Sequence, residues 1–181
     1  MDTVYHSGTG SKMLVEEIFR LEDEFNVKFG VTEVLVEDQW PLSNERAYFD
    51  NGIIVIGQTD RRTKKELFLH ELGHALLWWN QVPKKMLRSF HWRFHDDSLW
   101  DGICYSARTF TGKYSNRKRS FISGYSEIDA EESFCEVWSA GRLDLRNRYL
   151  FFDGEKIDLN HEPLLKRKLK KVRDIIKYCR R

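Results

Sequence analysis

An α+β fold is predicted, with a small, mostly antiparallel sheet packed on an N-terminal helix and on a central helix, followed by a helix rich in glutamate. Three observations carry this. Apolar residues recur at helical spacing from Ser11 to about Phe25, and a hairpin pattern runs from Ala47 to Ile56. The run Phe68-Leu69-His70-Glu71-Leu72-Gly73-His74-Ala75-Leu76-Leu77-Trp78-Trp79 is an apolar helix that nevertheless carries two histidines and a glutamate. The whole chain, 1–181, is expected to be one domain, with an irregular insertion near 84–120 and a basic C-terminal helix near 162–179.

The first helix places Leu14, Val15, Ile18, Leu21 and Phe25 on one side and Glu16, Glu17 and Asp23 on the other. Gly30 closes that region. Val31 to Val36 is short and rich in β-branched residues, as a strand is; Trp40 to Asn44 reads as loop. In the hairpin, Asn51-Gly52 supplies the positive φ angles of a tight turn between Ala47-Tyr48-Phe49 and Ile53-Ile54-Val55-Ile56. Thr63 and Glu66 have the spacing of a capping box, so the central helix begins near Lys64 and ends near Asn80, ahead of Pro83.

Between Lys84 and Ser120 aromatics alternate with charges and no period emerges. Ser126 or Asp129 caps the next helix, which passes through Phe134 and Trp138 and stops at Gly141. Tyr149 to Phe152 and Glu155 to Ile157 read as a second hairpin about Asp153-Gly154. Leu165, Leu169, Val172, Ile176 and Cys179 mark the apolar side of a terminal amphipathic helix.

A chain of 181 residues, 41% hydrophobic and 14% aromatic, is a globular protein with a real core. Neither a signal peptide nor a membrane-spanning run is recognisable. Cys104, Cys135 and Cys179 lack the spacing of a disulfide framework or a zinc ribbon, which suggests a reducing, cytoplasmic setting. The net charge of +2 is unevenly distributed, with basic clusters at Arg117-Lys118-Arg119 and from Lys166 to Arg181.

The chemistry concentrates at His70-Glu71-Leu72-Gly73-His74. A helix turns about 100° per residue, so His70 and His74 stack on one face and can hold one metal ion, whereas Glu71 is offset in the manner of a base acting on a metal-activated water. This is the logic of the H-E-x-x-H metalloprotease motif. Gly73, unfavourable by about 1 kcal/mol relative to Ala in mid-helix, suits a close approach by a neighbouring element. A catalytic zinc takes three protein ligands. Glu132, in Glu131-Glu132-Ser133-Phe134-Cys135-Glu136, is a candidate for the third; Glu136 shares its face and can accept a hydrogen bond from a ligand histidine.

From Val31 to Gly141 the chain resembles the gluzincin branch of the zincin metallopeptidases, in which a second helix brings the metal-binding Glu in patterns such as N-E-x-F-A-D/E. Here Glu131 stands for the Asn and Cys135 for the Ala. The order of elements is similar to that of ImmA/IrrE-type and anthrax-lethal-factor-like peptidases. That resemblance implies a zincin-like fold, and it implies that Tyr125, just ahead of the Glu helix, hydrogen-bonds the oxyanion. A looser resemblance to Spartan/SprT-like metallopeptidases rests on His91-Trp92-Arg93-Phe94 and makes His91 the competing third ligand. His95, with Asp96 and Asp97, is a weaker polar cluster.

The expected activity is that of a zinc-dependent endopeptidase on a protein or peptide substrate, the peptide lying extended along an edge strand. Two other expectations stand beside it. One is a nucleic-acid-associated protease or binding module, with a structural or silent zinc site, that uses the basic C-terminal helix. The other is a peptidase that processes only itself.

Overall fold

The computed structural model describes residues 3–37, 47–57, 64–90, 129–142, 149–152 and 155–180. They fall into two compact units: residues 1–83 with 173–181, and residues 84–172.

In the first unit, strand β1 (Tyr5–Ser7) leads into helix α1 (Ser11–Phe25), followed by β2 (Glu33–Val36), β3 (Ala47–Asp50), β4 (Ile53–Ile56) and helix α2 (Lys64–Trp79). Of the expected apolar row on α1, Leu14, Val15, Ile18 and Leu21 are buried, while Phe25, at the last position, is half-buried. The helix ends where Asn26 turns left-handed, with φ 51°, and caps onto the Glu22 carbonyl. The 47–56 hairpin forms as expected, with Asn51 at φ 45° and Gly52 at φ 94°. The Gly52 carbonyl also accepts from Thr32 N at 2.8 Å, tying the turn to the start of β2.

The sheet corrects one expectation. Its strand order is β1-β2-β4-β3, and both β1–β2 and β2–β4 are parallel; only β3–β4 is antiparallel. The expected mostly antiparallel sheet is therefore a mixed one. The physical reason lies in the connections. After β1 the chain spends a whole helix returning, which is how parallel neighbours are joined. β4 then inserts between β2 and the hairpin partner β3. A strand as short and exposed as β1 carries no apolar alternation, which is why its sequence did not announce it.

Register places Val34, Ile54 and Phe49 side by side, and likewise Val36, Ile56 and Ala47. Val34, Val36, Ile54 and Ile56 are buried. α2 packs on β3 and β4, with the Phe49 ring edge-on to Trp78 at 5.6 Å between centroids. At its C-terminal end Asn80 Nδ2 donates to the Lys28 carbonyl at 2.9 Å. Gly30, at φ +66°, leaves room for Trp79, whose ring lies 2.1 Å from where a Cβ would be. Arg180 Nε donates to the Phe25 carbonyl at 3.1 Å and fastens the chain end to the end of α1.

The second unit opens with a short helix α3 (Lys84–Leu87) and a 3-10 turn (Arg88–Phe90), then has helix α4 (Ala130–Arg142) and the hairpin β5 (Tyr149–Phe152) with β6 (Glu155–Asp158). The long terminal helix α5 (Pro163–Cys179) starts here and passes into the first unit from Arg173. Proline opens α5 at a position where a missing N–H costs nothing. α4 is buried from Ser133 to Ala140 and packs on the 3-10 turn and β5. Phe134 meets Phe90 edge-on at 5.3 Å. Lys168, only 5% exposed, donates from Nζ to Ser133 Oγ at 3.0 Å, a buried polar link from α5 to α4. Most of the irregular 84–120 stretch lies outside the described residues.

Candidate metal centre

α2 is apolar on nearly every side, and Leu67, Phe68, Leu69, Leu72, Leu76 and Leu77 are buried. Its polar residues therefore sit inside a core. His70 is 4% exposed and Glu71 7%, while His74 is half-buried. The two imidazoles stand one turn apart with their centroids 5.1 Å from each other and their planes at 66°. Rings so close and so inclined can bring one nitrogen each towards a common ion at the usual zinc–nitrogen length of about 2.0–2.1 Å. Burying an imidazole and a carboxylate beside a half-buried imidazole calls for polar partners, and a cation is one that all three can share. The residues present thus fit a divalent metal, by donor chemistry as well as by burial.

On α4 the cap is now defined. The Asp129 carboxylate accepts from the backbone N–H groups of Glu131 at 2.7 Å and Glu132 at 2.9 Å. Of the two residues that competed for this role, Asp129 takes it; Ser126 lies outside the described residues. Glu132 is in the first turn and half-buried, whereas Glu136, one turn on, is 1% exposed. Cys135, about 60° round from Glu132 on the side away from Glu136, is fully buried and not in a disulfide. In the sequence Cys135 was only a substitution within a motif. Its three-residue spacing from Glu132 was the available sign that it shares the polar side of the helix.

His70, Glu71 and His74 are brought together within the first unit, and Glu132, Cys135 and Glu136 within the second. Tyr125, His91, His95, Asp96 and Asp97 lie outside the described residues. Compared with protein-family models, curated proteins and solved structures, the chain matches none of them.

Proposed function

We propose that this chain is a zinc-dependent metallopeptidase of zincin-like fold, working on protein or peptide substrates in the cytoplasm. The observation that supports it most is the pair of neighbouring imidazoles on one face of α2, His70 buried and His74 half-buried, with Glu71 buried beside them. Two imidazoles and a carboxylate are donor types that a divalent metal takes, and polar groups buried in an apolar helix are the informative exception.

His70 and His74 supply two ligands and α4 the third. Glu132 remains the leading candidate. Cys135, on the same side of α4, is its rival, because a thiolate is also a donor that zinc takes. Glu136 accepts a hydrogen bond from a ligand histidine and fixes its tautomer. Zinc, when bound, supplies a Lewis acid that acidifies water and polarises a carbonyl. Glu71 takes the proton from the attacking water and delivers it to the leaving amine nitrogen. Tyr125 steadies the charge that develops on the carbonyl oxygen.

The test is elemental analysis of the purified wild type beside His74→Ala, Glu71→Gln, Glu132→Ala, Cys135→Ala and His91→Ala, followed by digestion of a peptide library. About one zinc per chain is expected, kept in Glu71→Gln and His91→Ala and lost in His74→Ala and in one of the two α4 variants. A wild type without metal, or one that holds zinc and cleaves nothing, sinks the reading.

A second reading, that the chain also associates with nucleic acid, is favoured by α5. Lys166, Lys170, Arg173 and Lys177 are all exposed, and helical geometry gathers them in a sector of about 60° along about 17 Å of axis.

A further inference from the structure

Trp79 and Trp78 end the same helix but have different surroundings. The Trp79 ring covers Gly30, so its position is explained by packing. Trp78 is 44% exposed, close to the 41% of Trp79, and its ring meets Phe49 in a T-shaped contact at 5.6 Å and Trp79 at 6.2 Å between centroids. It is four residues beyond His74 and eight beyond His70, so it continues the histidine row, about 6 Å further along the axis and about 40° round from His74. Phe49, half-buried, belongs to β3, which is an outer strand of the sheet among the described residues. An exposed indole in contact with a half-buried phenylalanine thus lies beside both the histidine row and a strand edge.

We propose that Trp78 and Phe49 form an apolar subsite, which receives an aromatic or branched aliphatic side chain of an extended peptide substrate. The inference rests on the peptidase reading and specifies its substrate class. A peptide added to the edge of β3 presents alternate side chains to the α2 side of the sheet, and one of them meets the Trp78 ring. Aromatic rings in such positions provide large contact area with little side-chain entropy to lose.

The experiment uses the full chain and an equimolar library of N-acetylated octapeptides randomised at every position, with products read by mass spectrometry. One position relative to the scissile bond is expected to prefer Phe, Tyr, Leu and Ile over Ala and Ser by about tenfold or more. Trp78→Ala should flatten that preference to below about twofold, and Trp78→Phe should restore most of it. Trp78→Gln, which keeps a long side chain on the helix, takes the place of Trp78→Ala if the latter does not fold.

A readout independent of turnover is the affinity of the best-cleaved peptide, and of its Ala counterpart, for Glu71→Gln protein. The same discrimination should appear in Kd and vanish when Trp78→Ala is added. Cleavage without an apolar preference, or a preference that survives the loss of Trp78, overturns the subsite and leaves the peptidase standing. If nothing is cleaved, the peptidase reading fails. Retention of the library on immobilised wild type then decides the subsite: Trp78-dependent enrichment of aromatic peptides upholds it, and none overturns it.

Discussion

Glu71 is 7% exposed in the middle of an apolar helix, next to a histidine that is 4% exposed. If it is the base rather than a ligand, Glu71→Gln keeps the zinc and lowers kcat by about 10²–10⁴-fold; metal loss in that variant would move Glu71 into the ligand set. Gly30 gives a prediction free of any function. Its φ of +66° and the Trp79 ring 2.1 Å from an added Cβ make Gly30→Ala both strained and overpacked, so denaturant unfolding should show a loss of about 1–3 kcal/mol. Cys179, 3% exposed, has its thiol pushed up to about 11 by burial. A raised folded-state pKa means that stability is intact below the ordinary thiol range and falls as pH rises through it towards about 11, because the unfolded chain releases a proton the folded one keeps. Unfolding curves at pH 8, 9.5 and 10.5 should show this decline in the wild type and less of it in Cys179→Ala.

Asp129 shows what local chemistry contributes to an element. Its carboxylate satisfies two of the orphan N–H groups that open α4, and Asp129→Ala should cost about 1 kcal/mol, with Asp129→Asn or Asp129→Ser recovering most of it in thermal or urea melts. Elements such as this were legible because the signals are local: the apolar period of α1, Asn51-Gly52 in the hairpin, the spacing of Leu165, Leu169, Val172 and Ile176 in α5. What the sequence hid was non-local. Whether β2 pairs with its neighbours parallel or antiparallel depends on the path of the chain between strands, and no single strand encodes that. Lys168 reads as one more lysine in a basic helix, yet it is buried against Ser133. Only the packing of α5 on α4 makes it so. The histidine pair was legible from its spacing on one helix, while the third ligand was not: Glu132 and His91 both stood open, because a ligand from another stretch of chain carries no local spacing signal.

At the scale of the molecule, a net charge of +2 conceals a basic α5 alongside an acidic α1. α1 partly neutralises itself, with Arg20 paired to Glu17 and Glu24 at 2.8 Å each. Exposed pairs of that kind contribute little to stability. The α5 stripe of Lys166, Lys170, Arg173 and Lys177 instead follows i, i+4, i+7, i+11, which aligns four cations along one side of the helix. If that side meets a phosphate backbone, the affinity must reflect counterion release. A fluorescein-labelled DNA duplex without sequence preference should bind at low salt with log K falling against log salt at a slope of about −3 to −4, near −0.9 per phosphate contact. Replacing Lys166, Lys170 and Lys177 by Glu should reduce the slope by about 3 and abolish binding near physiological salt, while the zinc content stays that of the wild type. A slope near zero, or binding that survives the triple replacement, would make the stripe a solvated face. Zinc content and peptide cleavage would then be all that speaks for a function.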